Sequence, residues 1–186
     1  VILTFLMSLA STFAFWGISA WMPPYTASLA GKAGLPAQQW ASYVAMAVNG
    51  AAIIGYAGFG FLADVFGRKP VTMAYFALAF LSVPIFFIWT QDLTILLLAG
   101  AFSGIFVSGQ FTWMSAWLPE LFPTRVRATA TAFVFNAPRL ISWTGPLISG
   151  WLIANFGGFS QAAVVIATVY ILGLVAAFLP ETRGKP

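Results

Sequence analysis

The chain is 186 residues long; 61% of its residues are apolar and only 6% are charged. Because so few polar side chains cannot cover the surface of a water-soluble domain of this size, the composition excludes that class and predicts a membrane protein. The net charge of +4 does not indicate nucleic-acid binding, since the cations fall singly or in pairs along the chain. The sequence has no cysteine and no histidine, which excludes disulfides, thiolate chemistry and the commonest metal ligand.

Hydropathy divides residues 1–186 into six apolar segments with short connections, and no stretch is left over for a soluble domain. A membrane-spanning helix needs about 20 apolar residues, so we predict an all-α membrane protein with six transmembrane helices. The first span is expected to end at Pro23-Pro24 and the third to be kinked at Pro84. Because Val1 lies inside an apolar run without a basic flank, we interpret it as a truncated start and not a signal peptide. The predicted spans are 1–22, 38–63, 71–90, 93–118, 128–154 and 161–179.

Small residues in the second and fourth spans predict close contacts between helices. A glycine lets a neighbouring backbone approach, and small residues four positions apart form a contact stripe. The residues concerned are Gly50, Gly55, Gly58 and Gly60 in the second span, and Gly100 and Gly104 in the fourth.

Charged residues between the spans predict the orientation in the membrane. The connections after the second and fourth spans and the C-terminal tail carry six cations, whereas the alternate connections carry one. By the positive-inside rule, the even-numbered connections and the C-terminus are predicted to be cytoplasmic. The six cations are Arg68, Lys69, Arg125, Arg127, Arg183 and Lys185, and the single one is Lys32.

Polar side chains at membrane depth are predicted in the second, fourth and fifth spans, while the third and sixth have none. Since every third span is the apolar one, the pattern favours a unit of three helices used twice, as in transporters that are built from inverted repeats. We therefore predict a 3+3 inverted repeat. The polar residues are Asn49, Gln110, Asn136 and Arg139.

Arg139 is the most informative of these residues. Twelve residues beyond Arg127, at about 1.5 Å each, it lies about 18 Å into a hydrocarbon core that is about 30 Å thick. A cation at that depth costs about 2.5 kcal/mol or more and needs a polar cavity or a partner, yet all four acids of the chain lie at span ends or in loops. The counter-ion is therefore a bound anion, another polypeptide or water; alternatively, backbone carbonyls of neighbouring helices hold a structural arginine.

Helical spacing predicts two amphipathic faces with aromatic walls and few hydrogen-bonding groups, which is the composition of a small-molecule pocket. We predict substrate contacts from Arg139, Asn136, Gln110, Trp113 and Asn49. Trp117 is better interpreted as an interfacial anchor, and Asn49 could instead form an interhelical hydrogen bond. The two faces comprise Asn136, Arg139 and Trp143 in the fifth span, and Phe106, Gln110, Trp113 and Trp117 in the fourth.

Three motifs carry a family resemblance. GFLADVFGRKP, residues 60–70, resembles the cytoplasmic signature of the major facilitator superfamily. PELFPTRVRATA, residues 119–130, is similar to the loop between the tenth and eleventh helices of its metabolite/proton and sugar porters, and PETRGKP, residues 180–186, resembles their ending. Because that ending follows the last helix, the resemblance implies that residues 1–186 are the C-terminal six-helix half of a twelve-helix transporter.

The resemblance also implies a mechanism, which is secondary active transport by alternating access of two six-helix halves around a midplane site. Ion pairs at the cytoplasmic helix ends would latch the conformation that brings those ends together, and their loss would shift the populations. Topogenic charges in solvated loops are the alternative. The latch residues would be Asp64, Gly67, Arg68, Lys69, Glu120, Arg127 and Glu181.

The expected substrate is a small anionic or zwitterionic organic metabolite, because Arg139 could hold its carboxylate. Proton coupling normally uses a membrane-embedded acid or histidine. This half has neither, so the proton carrier of a symporter is expected in the missing N-terminal half. The remaining expected partner is the lipid bilayer of a bacterial inner or plasma membrane, and neither a cofactor nor a nucleic acid is expected.

Two other classes of protein were weighed against a transporter. A polytopic membrane enzyme is disfavoured, because no histidine, cysteine or paired acid at membrane depth is present to act as nucleophile, metal ligand or general base. A non-transporting membrane sensor or assembly subunit that retains the transporter fold is the alternative that the sequence leaves open. Substrate flux in vesicles separates this alternative from a transporter.

Overall fold

A computed structural model describes residues 1–142 and 144–184, and the regular structure in those residues is entirely helical. Five helices are long and apolar enough to cross a membrane, as expected for an integral membrane protein. Two shorter helices lie between the fourth and the fifth of them. In chain order the helices are α1 (Ile2–Lys32), α2 (Ala37–Phe66), α3 (Arg68–Trp89), α4 (Leu93–Ala116), α5 (Arg127–Ser142), α6 (Gly145–Phe156) and α7 (Phe159–Phe178).

The predicted fifth span, 128–154, is the one that differs from expectation. It corresponds to α5 and α6, and neither is long enough by itself to count as a span. Trp143, the residue between them, lies outside the described residues, and so does its predicted place on the pocket face. Length and composition therefore support five of the six predicted spans.

The first helix does not end at Pro23-Pro24, so that prediction is wrong. The chain makes one turn at Ala20 and Trp21 and then continues as helix from Met22 to Lys32. Both prolines lie in the first turn of this second segment of α1. A backbone N–H in a first turn has no acceptor within the helix, so proline, which lacks the N–H, is tolerated there. The prolines therefore begin the second segment of α1 and do not terminate the helix.

Two helices are irregular in their second halves. In α3 the chain becomes π-helical over Ile85–Trp89, directly after Pro84, which is where the sequence predicts a kink. In α4 a π-helical stretch at Gly104–Ser108 is followed by a 3₁₀ turn at Gln110–Thr112. Such irregular turns break the regular backbone hydrogen bonding and often mark functional or strained segments.

The crossing of α2 and α4 requires glycine on both helices. A Cβ atom on Gly55 would overlap the carbonyl oxygen of Ile105, and one on Gly104 would overlap that of Val48. The two backbones therefore touch, as the small-residue pattern predicts. Gly50 and Gly60 differ, because a Cβ atom on either would meet nothing within 4 Å.

A buried core rich in aromatic side chains joins the helices. α1 packs against α5 and α7, and α3 packs between α2, α4 and α7. Phe76 of α3 lies edge-on to Tyr170 of α7, and both side chains are fully buried. Large apolar side chains such as Leu98 and Phe178 are exposed, as expected for surfaces that face lipid or another polypeptide.

Candidate functional site

A single residue, Gly67, connects α2 to α3 at the charged end of the bundle. Its φ of 106° lies in the region that favours glycine. A Cβ atom there would also lie 2.7 Å from a carboxylate oxygen of Glu181, which comes from the C-terminal tail. Glycine is therefore needed at this position for the turn and for the close approach of the tail.

The carboxylate of Glu181 caps the start of α3. It accepts hydrogen bonds from the backbone N–H groups of Arg68 at 3.0 Å and Lys69 at 2.9 Å, which have no acceptor within the helix. The N–H groups of Thr182 and Arg183 also donate to it, at 3.0 Å each. A negative charge is stabilised at a helix N-terminus, so the tail is fixed to α3 by electrostatics as well as by hydrogen bonds.

These contacts change the acidity of Glu181. Partial burial disfavours the charged carboxylate, but the four backbone donors outweigh it and lower the pKa of Glu181 below its ordinary value of 4.5. The cap is therefore ionised at neutral pH.

The side chain of Arg68, which begins α3, links this helix to α2 and to the connection after α4. Its Nη1 donates to Asp64 Oδ1 at 2.6 Å and to the carbonyl of Ala63 at 3.0 Å, and its Nη2 donates to Glu120 Oε1 at 3.4 Å. Thr182 Oγ1 donates to the second oxygen of Glu120. We call Asp64, Arg68, Glu120, Glu181 and Thr182 the charged network.

The structure brings together five of the seven residues that the sequence places in a latch, namely Asp64, Gly67, Arg68, Glu120 and Glu181. Lys69 joins them only through its backbone N–H. Arg127 makes a different contact, since its Nε donates to the carbonyl of Phe122 at 3.2 Å. Thr182 was missed by the sequence reasoning, although its position next to Glu181 in the PETRG motif could have indicated it.

Arg139 and Asn136 form a separate polar pair on α5. Arg139 Nη1 donates to Asn136 Oδ1 at 2.9 Å and to the carbonyl of Phe135 at 3.4 Å. Its guanidinium carbon lies 4.1 Å from the centre of the Phe135 ring, which is a cation–π distance. Both polar side chains are exposed. The guanidinium is thus held by its own helix, and no carboxylate of the described residues pairs with it.

Gln110 and Trp113 lie in a different environment, because both are fully buried inside the bundle. Ser11 of α1 donates to Gln110 Oε1 at 2.6 Å and accepts from Trp113 Nε1 at 3.0 Å. Gln110 Nε2 also donates to the carbonyl of Val107 at 3.4 Å. Their polar groups therefore fasten α4 to α1 in this conformation. Ser11 was not predicted; the run of small hydroxyl residues around it was the available signal.

Asn49 lies on the exposed side of α2, where its Nδ2 donates to the carbonyl of Ala45 at 2.7 Å. It lines a cavity of about 70 Å³ between the turn of α1, α2 and the irregular part of α4. Ser19 and Ser108 supply the cavity's other side-chain hydroxyls, and the shielded Ser19 hydroxyl has no partner among the described residues. Asn49 thus adjoins a polar cavity that is separate from the Arg139–Asn136 pair.

A larger open groove runs along the first turns of α5, and we call it the α5 groove. Its volume is about 530 Å³. One wall is formed by the connection before the helix and the other by α5 itself. Its lining residues include Pro119 and Thr124 on the first wall, and Arg127, Ala132, Phe135 and Asn136 on the second.

Metal chemistry has no obvious site in the part of the chain that the structure describes, because it contains no group of three or more acids that could hold an ion. The polar groups instead fit two tasks. The charged network can hold helix ends together, and the exposed guanidinium of Arg139 can bind an anion.

Comparison with known proteins identifies the family. Residues 2–186 match the family model of the Major Facilitator Superfamily. A metabolite transport protein of Haemophilus influenzae is 33% identical over 175 residues, which cover 93% of this chain and 42% of that protein.

Two further relatives have named substrates. A glycine betaine/proline/ectoine/pipecolic acid transporter of Dickeya dadantii is 35% identical over 130 residues, covering 68% of this chain and 26% of that protein. A cis,cis-muconate transport protein of Acinetobacter baylyi is 31% identical over 180 residues, covering 94% of this chain and 41% of that protein. The chain therefore spans less than half the length of these relatives.

Proposed function

Because the chain belongs to the major facilitator superfamily, whose members are membrane transporters and not enzymes, we propose that it is the C-terminal six-helix half of a transporter for a small organic carboxylate. Transport would be secondary active and would proceed by alternating access. The chain spans 42% of the Haemophilus influenzae relative, which leaves room for a second half of similar size. In this proposal α5 and α6 together form the fifth of six spans, α7 forms the sixth, and the helices form a 3+3 inverted repeat.

Arg139 is the observation that carries the substrate class. Its guanidinium is positioned by Asn136 and by the ring of Phe135, and one side of it stays exposed. An arginine that is held in place with open donors is suited to a carboxylate, which it can bind through two parallel hydrogen bonds.

The named substrates of the relatives support the same chemistry. Muconate, proline, glycine betaine, ectoine and pipecolic acid all carry a carboxylate, whereas their other groups differ. We therefore assign the carboxylate to Arg139 and Asn136 of this half. The remainder of an anionic or zwitterionic metabolite would contact Asn49, and would contact Gln110 and Trp113 only in a conformation that opens their buried contacts.

The charged network supports a conformational latch in the proposed mechanism. Asp64, Arg68 and Glu120 join α2, α3 and the connection after α4, and Glu181 joins the tail to α3. By the charge distribution this end of the bundle is cytoplasmic, and so is the C-terminus. Contacts that exist only while these ends are together favour that conformation. We include Gly67 and Lys69 as supporting residues of this end; Arg127, whose Nε donates to the carbonyl of Phe122 instead, lies outside the charged network.

Proton coupling is proposed for the complete transporter and not for this half alone. All four acids of the chain lie in its connections or at helix ends, outside membrane depth. The residue that carries the proton would therefore belong to the other half. The complete protein would act in the inner membrane of a bacterium.

The test is uptake by the full-length protein in vesicles, with cis,cis-muconate, proline and glycine betaine as probe carboxylates. We expect Arg139→Gln to raise the half-saturation concentration at least about tenfold, because the substitution removes a charge-assisted hydrogen bond from the site. Arg139→Lys should recover part of the loss. Arg125→Gln, an exposed cation in the connection, is the matched control and should leave uptake unchanged.

Two results would contradict the proposal. Unchanged uptake and half-saturation in Arg139→Gln would remove the assigned carboxylate site. Binding of a probe without any flux would indicate a membrane sensor or assembly subunit that retains the transporter fold.

A further inference from the structure

The α5 groove is lined by no residue of the charged network, and it extends from Arg127 to the two side chains that hold Arg139. We propose that the α5 groove is a second anion-binding station, at which Arg127 receives the carboxylate of the transported molecule after it leaves Arg139. This inference rests on the proposed function, because it assigns the cytoplasmic release route of the same substrate.

The upper end of the groove coincides with the Arg139 site. Phe135 and Asn136 line the groove, and the same two side chains hold the guanidinium of Arg139 by a cation–π contact and a 2.9 Å hydrogen bond. A carboxylate that leaves Arg139 along this wall therefore enters the groove directly.

The lower end of the groove is marked by Arg127. It lies twelve residues before Arg139 on the same helix, which corresponds to about 18 Å along the axis. The groove thus has one cation at its mouth and a second just above its upper end. Cations at both ends of an otherwise uncharged path favour an anion along its length and give it two positions of low energy.

Arg127 is available for this task in a way that Arg68 is not. Arg68 pairs with Asp64 and Glu120, whereas Arg127 forms no ion pair with any carboxylate of the described residues. Its Nε donates to the carbonyl of Phe122, which fixes the side chain at the groove. The terminal nitrogens keep their donors for a ligand, and a fixed guanidinium loses little entropy on binding.

The walls between the two cations define the rest of the ligand. Pro119, Ala132 and Phe135 present carbon to the groove, and Thr124 and Thr131 add two threonines to its walls. A volume of about 530 Å³ is within the range of small-molecule sites. The groove therefore fits an organic carboxylate with an apolar skeleton better than a strongly hydrated inorganic anion.

An anionic phospholipid head group offers the same chemistry, and the experiment must distinguish the two sources. The direct connection to Arg139 favours the transported molecule, because a lipid head group would not need a cation at the middle of the membrane. The matched cation is again Arg125, which lies two residues away and is exposed but does not line the groove.

The experiment measures half-saturation separately from each side of the membrane. The full-length protein is placed in phosphatidylcholine vesicles in both orientations, with the probe carboxylate that the unmodified protein moves fastest. We expect Arg127→Gln to raise the cytoplasmic half-saturation concentration about three- to fivefold, since an exposed charge contact is weak, and to leave the external one unchanged. Arg127→Lys should restore most of the loss, and Arg125→Gln should change neither value.

A second variant fills the groove without touching its charge. Ala132→Leu adds three carbons to the wall and should also raise the cytoplasmic half-saturation concentration, whereas Thr129→Leu, outside the lining, should not. If Arg127→Gln fails to fold, this pair decides the question. Equal cytoplasmic half-saturation concentrations for Ala132→Leu and Thr129→Leu would contradict the proposed anion-binding station.

Other outcomes would also overturn the inference. If Arg127→Gln lowers the cytoplasmic value and raises the external one, Arg127 acts as a latch residue that sets the conformational balance. If the effect appears only when phosphatidylglycerol is added, the groove binds lipid. Normal behaviour of Arg127→Gln, together with impaired Arg139→Gln, removes the station but keeps the proposed function. Normal behaviour of Arg139→Gln, or transport of none of the probes, removes both.

Discussion

Arg68 and Arg139 are the same residue type in two opposite environments. The side chain of Arg68 is 19% exposed and bonds a carboxylate and a backbone carbonyl of α2 and a carboxylate of the connection after α4. Arg139 is exposed, bonds only Asn136 and Phe135 of its own helix, and has no carboxylate partner among the described residues. One cation is paired with two carboxylates of the protein, whereas the other keeps its outer donors open to a ligand.

The difference teaches how to separate structural from ligand-binding charges in this fold. A cation that is paired with carboxylates of other segments stabilises the contacts between those segments, so its removal should change stability and conformational balance. A cation that bonds only its own helix contributes little to the fold, so its removal should change ligand binding alone. Stability measurements on variants of the charged network test one side of this contrast, and uptake by Arg139→Gln in vesicles tests the other.

The largest loss of stability is expected from Gly67→Ala. A side chain at φ of 106° is strained by about 1–3 kcal/mol, and its Cβ atom would meet the carboxylate of Glu181 at 2.7 Å. We therefore expect a clear fall in the melting temperature of the full-length protein in detergent. Gly60→Ala is the control, because a Cβ atom there meets nothing within 4 Å and alanine favours a helix. Equal melting temperatures for the two variants would contradict the role of the turn.

A smaller loss is expected from Arg68→Gln. The variant leaves the carboxylates of Asp64 and Glu120 without their cation, which we expect to cost about 1–2 kcal/mol. In a full-length protein freed of any other cysteine, a single cysteine introduced at Ala63, which is buried beside Arg68, can report opening of the charged end by its labelling rate. We expect a faster rate in Arg68→Gln and an unchanged melting temperature in Arg139→Gln. Loss of stability in Arg139→Gln as large as in Arg68→Gln would break the comparison.

The contribution of Glu181 should depend on pH in a defined direction. Its pKa in the folded protein is below 4.5, so its stabilising contribution is complete above the unfolded value. The contribution is lost as the pH falls through the folded pKa. Melting temperatures measured from pH 7 downward should therefore converge for the unmodified protein and Glu181→Gln in the acid range. A constant difference between the two proteins at all pH values would show that the carboxylate charge does not matter.

The smallest effect is expected from Asp64→Asn. Its side chain is 71% exposed, and its pair with Arg68 spans the Gly67 turn between α2 and α3. Exposed ion pairs are worth about 0.2–1 kcal/mol, so the shift in melting temperature should be near the limit of detection. The same measurement in high salt should abolish it, because exposed pairs are screened. A loss as large as that of Arg68→Gln would show that Asp64, and not Glu120, is the essential partner.

Much of the fold was predictable because it depends on local composition. Five of the six predicted spans are found as long apolar helices, and the irregular part of α3 begins at the predicted Pro84. The end of α1 was predicted wrongly, since proline in a first helical turn and proline after a last turn have the same local sequence signal. Only the continuation of the chain to Lys32 distinguishes them.

The candidate site was predictable in its residue types but less so in its contacts. The sequence indicated the charged motifs and the isolated position of Arg139. It did not indicate that Gln110 and Trp113 share Ser11 as a buried partner about a hundred positions away. Helical spacing gives the face of a residue but not the helix that covers that face, so an inward polar face can be satisfied by a neighbour instead of by a ligand.

By itself, the sequence determined that this protein lies in a membrane. It also determined at which positions of the chain the charges are concentrated, and that no acidic residue lies near Arg139 along the chain. These properties follow from hydropathy and from residue order, which act over one or two helical turns. Only the tertiary structure decided that Glu181 caps a helix 113 positions away, that Gly55 and Gly104 mark the helix crossing, and that the α5 groove leads to Arg139. Those features depend on which helices pack together, and packing is set by the fit of whole surfaces, not by any local pattern.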